Sequence, residues 1–326
     1  MERYDLSIAN VEGGLPEGAR KEGLSLAIGF FDGVHLGHQE VIRRAVSAAR
    51  GKGLTPAVMT FDPHPRVVLG HGAQYETVLT PLADKLALFS GLGVEAAYRI
   101  RFDRAFSEVT AERFVETLIT PLGVKAATVG FDFSFGHKGR GNADALRTYG
   151  NGDFEVQVVS PVFRDGEKVS STRIRASLEE GRCEAAASLL GRPYAVRGVV
   201  VRGDARGRLL GYPTANLLPD QPYVVPRSGV YAIRIDALAA DGSREASFGG
   251  VLNVGYRPTF DAPGGAAKLE AHLFDFDGDL YGKRLAIHLH KFLRAERKFE
   301  SIERLVAQIA LDASEARDFL AVRFQD

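Results

Sequence analysis

The spacing of apolar residues changes abruptly near residue 190, and this change constrains the fold more than any other feature of the 326-residue sequence. Before it, short apolar runs alternate with longer amphipathic runs. After it, short apolar runs follow one another with turn residues between them. The two patterns are typical of different fold classes. The sequence therefore predicts two domains, which its length allows.

The first part of the chain is predicted to form an α/β domain. Parallel neighbouring strands need long crossover connections, usually helices, so the alternation of short and long runs favours a parallel, Rossmann-like sheet covered by helices. The predicted strands cover residues 24–31, 55–61, 94–100 and 126–129, and the predicted helices cover residues 39–49, 83–92 and 111–119.

The second part is predicted to form a small antiparallel β-barrel with a closing helix. A helix-like stretch ends at Gly191 and Pro193, so we place the boundary between domains of residues 1–188 and 189–326. Apolar side chains at helical spacing in residues 302–319 predict the closing helix. Short apolar runs separated by turn residues predict the strands of the barrel, over residues 194–201, 230–235, 247–254, 268–274 and 284–292.

Charge and cysteine content narrow the classes of partner. Lys and Arg total 41, as do Asp and Glu, so the chain has no overall positive field to attract a nucleic-acid backbone. The one cysteine, Cys183, cannot form an internal disulfide, and the first residues lack the features of a secretory signal. No apolar run reaches the roughly 18 residues of a membrane-spanning helix. We expect a cytoplasmic protein without nucleic-acid or membrane partners; whether it forms a homo-oligomer is left open.

Residues 29–38, Gly-Phe-Phe-Asp-Gly-Val-His-Leu-Gly-His, lie where the first predicted strand turns into a helix. Gly33 and Gly37 allow close backbone approach, the helix start offers unpaired N–H groups, and His35 and His38 lie three residues apart, which suits a phosphate group. The alternatives are a tight turn with two incidental histidines and a zinc site, although no third ligand stands nearby in a fixed pattern. The P-loop and Gly-x-Gly-x-x-Gly motifs are both absent, which disfavours a P-loop enzyme and an ordinary dinucleotide oxidoreductase.

Three further segments of the first part suit nucleotide chemistry. Residues 170–175, Ser-Ser-Thr-Arg-Ile-Arg, place hydroxyl groups and arginines at a predicted helix start, where they can hold a leaving pyrophosphate or simply cap the helix. Residues 61–65 and 130–136 carry aromatic side chains in loops that follow strands. Such loops bind ligands in α/β sheets, and aromatic rings can hold a flat molecule, although phenylalanines more often belong to the core.

In this order, the segments resemble the FMN adenylyltransferase domain of the prokaryotic bifunctional riboflavin kinase/FAD synthetase family. The shared patterns are Gly-x-Phe-Asp-Gly-Val-His-x-Gly-His, Thr-Phe-Asp-Pro-His-Pro, Gly-x-Asp-Phe-x-Phe-Gly and Ser-Ser-Thr-x-Ile-Arg; the first also resembles the His-x-Gly-His motif of the nucleotidyltransferase superfamily. The resemblance implies a nucleotidyltransferase sheet in which His35, His38 and Arg173 are catalytic. The chain departs from the pattern at Phe30, where many members have asparagine, and at Ser134, where many have arginine. The implied ATP-binding residues are Gly29, Phe31, Asp32, Gly33, His35, His38, Ser171, Thr172 and Arg173, and the implied flavin-binding residues are Phe61, Pro63, Pro65, Asp132, Phe133, Phe135 and Asn142.

The second part carries a loop and a strand that suit phosphate transfer from ATP. Residues 203–216 join a glycine-rich basic loop, which can surround phosphate oxygens, to Pro-Thr-Ala-Asn; the alternative is a surface turn. The Thr214 hydroxyl and the Asn216 carbonyl are hard oxygen ligands of the kind Mg²⁺ prefers. In residues 268–276, strand alternation places Glu270, His272 and Phe274 on one face. A glutamate there is usually solvent-exposed but could accept a proton from a hydroxyl nucleophile.

Both segments resemble riboflavin kinase, so the resemblance covers nearly the whole chain. It implies that Glu270 is the catalytic base, that Thr214 and Asn216 hold Mg²⁺, that residues 253–260 form an active-site loop and that residues 294–299 lie near the flavin. The implied ATP-binding residues of the kinase are Gly203, Arg206, Gly207, Arg208, Gly211, Thr214 and Asn216, and the implied flavin-binding residues are Glu270 and Arg294.

The function implied by the resemblance is phosphorylation of riboflavin to FMN by ATP, followed by adenylylation of FMN to FAD with release of pyrophosphate. One alternative is a nucleotidyltransferase that acts on a lipid or vitamin precursor and has a regulatory C-terminal domain. Another is a flavin-binding module without turnover. The Pro-Thr-Ala-Asn motif argues against the first, and the histidines and Glu270 argue against the second.

Overall fold

The structure, a computed structural model, describes residues 1–70, 72–203, 211–257 and 266–324. The chain divides into two compact units, Met1–Ser171 and Thr172–Asp326. Within the described residues, no helix combines the length and the apolar character needed to cross a membrane.

The first unit alternates strands and helices along the chain. Its strands are β1 (Glu2–Leu6), β2 (Leu24–Ile28), β3 (Thr55–Asp62), β4 (Ala96–Arg101), β5 (Val124–Gly130), β6 (Glu155–Val159), β7 (Phe163–Arg164) and β8 (Glu167–Lys168). Its helices are α1 (Ile8–Glu12), α2 (Leu36–Lys52), α3 (Pro65–Val68), α4 (Leu82–Gly91), α5 (Arg104–Ser107), α6 (Ala111–Phe114) and α7 (Ala143–Gly150), with single helical turns at Ala73–Tyr75, Val115–Ile119 and His137–Gly139.

Six of these strands form a parallel sheet in the order β1-β4-β3-β2-β5-β6, which confirms the predicted fold class of this part. Strand β2 is buried along its whole length, as expected for a central parallel strand covered on both faces. Strands β3 and β4 lie on one side of β2, whereas β5 and β6 lie on the other. The strand order therefore reverses between β2 and β5, and α/β sheets bind ligands at the carboxyl ends of the strands on either side of such a reversal.

The second unit is a closed antiparallel barrel, as predicted, with six strands in the described residues. Closure removes the unpaired edges that an open sheet would leave. Helix α8 (Ser171–Glu179) starts at the last residue of the first unit, and α9 (Cys183–Leu190) follows it. The strands of the barrel are β9 (Tyr194–Val201), β10 (Ala215–Pro219), β11 (Gly229–Leu238), β12 (Arg244–Arg257), β13 (Ala266–Leu273) and β14 (Arg284–Arg294). They pair in the order β10-β13-β12-β11-β14-β9, and the pairing of β9 with β10 closes the barrel.

The predicted closing helix is present as α10 (Ile302–Arg323), which starts after Ser301, whose side chain accepts a hydrogen bond from the Arg304 N–H. Its C-terminal half packs on the outside of the barrel, where Ala316 and Leu320 are buried against strand residues such as Val230. In its N-terminal half, Leu305 and Ile309 line a cavity. One end of α10 therefore anchors the helix while the other forms the wall of a site.

Candidate active sites

The histidine segment forms a strained turn at the carboxyl end of β2, beside the point where the strand order reverses. Phe31 and Val34 have positive φ angles of 56° and 41°, values that are unfavourable for residues with a side chain, and Gly33 has a φ of 86°. His35 then caps α2, because its Nδ1 accepts a hydrogen bond of 3.3 Å from the His38 N–H. The turn thus presents a helix N-terminus, which favours anions, at the ligand-binding edge of the sheet.

The two imidazoles of the turn are stacked, with ring centroids 3.5 Å apart. Gly37 makes this arrangement feasible, because a Cβ at that position would lie 3.2 Å from the His35 ring. Among the described residues, no hydrogen-bond partner reaches the buried Nδ1 atom of His38. Burial, and then the charges of His35 and Lys85, hold the pKa of His38 well below its usual value of 6.5. His38 is therefore a neutral imidazole at pH 7, able to donate a single hydrogen bond.

The Ser-Ser-Thr segment meets the histidine turn. The Ser171 Oγ, at the start of α8, donates a hydrogen bond of 2.8 Å to the backbone carbonyl of Asp32. The carboxylate of Asp32 is buried and accepts hydrogen bonds from the N–H groups of Leu79 at 2.8 Å and Thr80 at 3.3 Å. The structure therefore brings together two segments that lie 139 residues apart, as the predicted ATP site requires.

Two predicted residues of this segment, Thr172 and Arg173, follow Ser171 along α8 and belong to the second unit. The backbone carbonyl of Arg173 accepts a hydrogen bond of 2.9 Å from the Ser177 hydroxyl within the helix. The roles of Thr172 and Arg173 at the ATP phosphates stay predictions. The same holds for Gly29, whose absent side chain leaves room for the Phe31 ring.

A cavity of about 690 Å³ in the first unit contains part of the predicted flavin site. Phe61, Pro65 and Phe135 line it, and Ser134, one of the departures from the family pattern, lines it as well. Phe102 and Phe106 also face the cavity. The sequence motifs do not include these two phenylalanines. Both follow the carboxyl end of β4, and this position in a parallel sheet is the signal that indicates a ligand-binding role.

The other predicted flavin residues are not among those lining this cavity. Phe133 stacks on Phe135, which lines the cavity, with ring centroids 5.3 Å apart. Asp132 forms an ion pair with Lys168 at 3.4 Å. The Asn142 side chain accepts a hydrogen bond of 2.9 Å from the Ala145 N–H and thereby caps α7. Pro63 directly follows β3 and stands two residues before Pro65, which does line the cavity.

A second cavity, of about 430 Å³, lies between α10 and the outer surface of the barrel. Glu270, Thr214 and Arg294 from the prediction line it, together with Asn253. In the strand register, Glu270 of β13 lies between Asn216 of β10 and Asn253 of β12. Three polar side chains therefore form one row across neighbouring strands. The predicted alternation along β13 is also present, because Leu269, Ala271 and Leu273 are buried in the core.

Within this cavity, Glu270 is only a quarter exposed and its carboxylate lies 2.7 Å from the Lys268 Nζ. A ring nitrogen of His272 lies 2.8 Å from the Pro213 carbonyl, and this contact ties the Pro-Thr-Ala-Asn segment to β13. Phe274 follows the end of β13 and is buried under α10.

Arg294 has a structural partner inside the cavity. Its guanidinium binds both carboxylate oxygens of the buried Asp312 on α10, with an Nη2–Oδ2 distance of 2.8 Å. Such a two-pronged contact fixes orientation as well as charge. Arg294 therefore holds the closing helix against β14, and its predicted contact with the flavin stays a prediction.

The predicted ATP-binding loop and active-site loop of the kinase lie only partly within the described residues. Arg206, Gly207 and Arg208 lie outside the described residues, as do residues 258–260 of the predicted active-site loop. Residues 253–257 are not a loop but the last part of β12, because their backbones pair with β13. Gly211 is described and has a φ of 81°.

Gly203 packs directly against the side chain of Asn216. A Cβ at position 203 would lie 2.2 Å from the Asn216 Nδ2, far closer than any stable contact. We expect Gly203→Ala to displace this amide and to lower the rate of ATP consumption with riboflavin about tenfold, since small displacements of a positioning group are costly. Adenylylation of FMN by the same variant should be unchanged. Gly51→Ala, on α2 where the added methyl meets open space, is the matched control, and equal riboflavin-dependent rates in both variants would contradict the expectation.

Comparison with known proteins matches both units. The family model described as FAD synthetase matches residues 18–173, and the one described as riboflavin kinase matches residues 190–320. A bifunctional riboflavin kinase/FMN adenylyltransferase from Listeria monocytogenes is 42% identical over 91% of this chain and 92% of that protein. One from Bacillus subtilis is 41% identical over 89% of this chain and 90% of that protein.

The fold also matches a solved structure. A crystal structure from Streptococcus pneumoniae, titled as a macrolide-efflux protein, is similar with a TM-score of 0.85 and 34% identity, over 96% of this chain and 98% of that chain. The two family models match one unit each, and the names of the curated relatives combine both activities over most of the chain. The chain therefore belongs to the family of bifunctional riboflavin kinases/FMN adenylyltransferases.

Proposed function

We propose that the protein makes FAD from riboflavin in two phosphate transfers at two separate sites. The barrel cavity phosphorylates riboflavin to FMN with ATP, and the first unit joins FMN to the AMP part of a second ATP. The observation that supports this division most strongly is that each unit has its own cavity. One is lined by Glu270 and its row neighbour Asn253, and the other is an aromatic pocket in the same unit as the histidine turn.

In the barrel, Glu270 is the general base. Its carboxylate accepts the proton of the riboflavin hydroxyl as the hydroxyl oxygen attacks the γ-phosphorus of ATP, and ADP leaves. The Lys268 ammonium, 2.7 Å away, pairs with this carboxylate and fixes it in place. The walls from α10, held by the pair of Arg294 and Asp312, exclude water from the reacting groups.

The donor atoms next to Glu270 suit a magnesium ion. Thr214 and Asn216 supply a hydroxyl and an amide oxygen, which are hard ligands, and Gly203 leaves room for the Asn216 side chain. We assign these two side chains to hold Mg²⁺ together with ATP. When bound, the ion would offset part of the negative charge of the phosphates.

In the first unit, the phosphate of FMN is already an anion and needs no base. One of its oxygens attacks the α-phosphorus of ATP, the bond to the bridging oxygen breaks, and pyrophosphate leaves. Catalysis therefore consists of positioning and charge stabilisation. The helix N-terminus at His35, the neutral His38 and the Ser171 segment serve this purpose, with Arg173 at the pyrophosphate, while the aromatic cavity holds the isoalloxazine ring.

Several assignments around this function are also part of the proposal. We assign residues 1–188 to adenylyl transfer and residues 189–326 to the kinase, in line with the family models that end at 173 and begin at 190. The partners are the small molecules riboflavin, FMN, FAD and ATP, with neither nucleic acid nor membrane. A cytoplasmic location agrees with the single cysteine, which is buried and free.

The proposal is tested by incubating the purified protein with riboflavin, ATP and MgCl₂ and separating the flavins by chromatography over time. We expect FMN to appear first and FAD to follow, with one ADP released per FMN formed and one pyrophosphate per FAD. FMN that accumulates without FAD would assign the first unit to another nucleotidyl acceptor. Riboflavin that binds but is never converted would make the protein a flavin-binding module.

A further inference from the structure

A buried lysine lies directly behind the histidine turn. Lys85, on α4, is only 2% exposed, and its Nζ donates hydrogen bonds to the Phe30 carbonyl at 3.0 Å and to the Thr60 Oγ1 at 3.4 Å. The Thr60 hydroxyl donates to the same carbonyl at 3.0 Å. The ammonium also lies 4.1 Å from the centroid of the Phe30 ring, which is a cation–π contact. The Lys85 ammonium and the Thr60 hydroxyl therefore both donate to the Phe30 carbonyl oxygen, at the entry to the turn.

The position of this ammonium is unusual because it is buried without a direct counter-charge. Lysine is almost never fully buried unless it is paired. In the part of the chain that the structure describes, no carboxylate lies within ion-pair distance of the Lys85 Nζ. Asp32 and Asp62 act on it only through space, since the Asp32 carboxylate accepts bonds from backbone N–H groups and Asp62 is bound by Arg99 at 2.7 Å. Burying an ammonium without a direct ion pair costs free energy, so Lys85 is better explained by a role in function than by a role in stability.

We propose that Lys85 is a positioning residue for adenylyl transfer, which holds the strained histidine turn in place and keeps a fixed positive charge behind it. The inference rests on the adenylyltransferase function proposed above. Phe31 and Val34 have unfavourable φ angles, so the turn relaxes unless contacts such as those at the Phe30 carbonyl hold it. The charge is close enough to lower the pKa of His38, so it also acts on phosphate that binds at this turn.

The buried charge of Lys85 lowers the stability of the folded protein. Burial lowers the pKa of Lys85 from 10.5 to about 8, although Asp32 and Asp62 oppose the change. Because the folded protein binds this proton less tightly than the unfolded chain does, protonated Lys85 destabilises the fold at pH 7, and this cost disappears as the pH rises from about 8 towards 10.5. Replacement by an apolar side chain of similar length should therefore preserve or raise the melting temperature. If Lys85 instead stabilised the fold, the same replacement would lower the melting temperature.

The experiment compares Lys85→Met and Lys85→Arg with the matched control Lys125→Met, which removes an exposed lysine from β5 of the same unit. Each full-length variant is assayed for FAD formation from FMN and ATP, for FMN formation from riboflavin, and for its melting temperature. For Lys85→Met we expect kcat of FAD formation to fall about tenfold. Its KM for FMN and its riboflavin phosphorylation should be unchanged, because Lys85 lies outside the flavin cavity and the barrel, and its melting temperature should not fall.

The pH dependence of FAD formation distinguishes the effect of the Lys85 charge from the effect of its packing. The charged or titratable groups that act on Lys85 or are acted on by it are Asp32, Asp62 and His38, and the pKa of Lys85 itself is lowered to about 8. Wild-type FAD formation should therefore decline above pH 8, whereas Lys85→Arg, which stays charged, should recover part of the rate and keep it at pH 9.

Two outcomes would overturn the inference while leaving the function in place: a wild-type rate in Lys85→Met, or a loss of rate accompanied by a lower melting temperature. A wild-type protein that forms no FAD from FMN would overturn the adenylyltransferase proposal itself, and the inference with it.

Discussion

Replacing Glu270 with glutamine is expected to lower the rate of FMN formation from riboflavin by about 10²–10⁴-fold, the usual contribution of a general base. Glutamine keeps the size and the position of the side chain in the row with Asn216 and Asn253, but it cannot accept the hydroxyl proton. FAD formation from supplied FMN should stay at the wild-type rate, because the histidine turn lies in the other unit. Both rates are measured on the same preparation by chromatography of flavins.

Glu315→Gln is the matched control, because Glu315 on α10 pairs with Lys291 on the surface away from this cavity. It should leave both activities unchanged. If Glu270→Gln phosphorylated riboflavin at the wild-type rate, the base would have to be another group of the cavity, with Glu296 the first to examine.

Replacing His38 with alanine is expected to have the converse effect, lowering FAD formation from FMN by about 10²–10³-fold while FMN formation continues. The imidazole is held at the helix N-terminus by stacking on His35 and is neutral at pH 7, so it acts as a preset hydrogen-bond donor to phosphate. His38→Asn retains a donor of similar reach and should lose less activity than His38→Ala.

Ser47→Ala, at an exposed position of the same helix, is the control for this pair of variants. Melting temperatures distinguish loss of the donor from loss of packing against His35. A His38→Ala protein that formed FAD at the control rate would remove the histidine turn from the mechanism.

The fold class could be predicted because the interior of each unit has a strong sequence pattern. The buried run of β2 and the alternation of β13 are direct consequences of burial on two faces and on one face. The strands β1, β6 and β10 were not predicted. β1 and β6 are the edges of the parallel sheet and are largely exposed, so they carry no continuous apolar run. β10 has only five residues and ends in a proline.

The candidate sites were predictable where the contacts are local in sequence, and less so where they depend on packing. The stacked histidines and the cap at His35 follow from a spacing of three residues. The cavity walls at Phe102 and Phe106, the pair of Arg294 and Asp312 and the buried Lys85 depend on elements that are distant in the chain. A lysine in an amphipathic helix gives no sign in the sequence that its side chain points inwards.

The most direct test of two independent sites is to mix the Glu270→Gln and His38→Ala proteins with riboflavin, ATP and MgCl₂. Each alone should form almost no FAD from riboflavin, because each lacks one of the two steps. We predict that the mixture forms FAD, since the FMN released by the His38→Ala protein can be adenylylated by the Glu270→Gln protein. Failure of the mixture to form FAD, although both proteins are folded and the first releases FMN, would contradict the account.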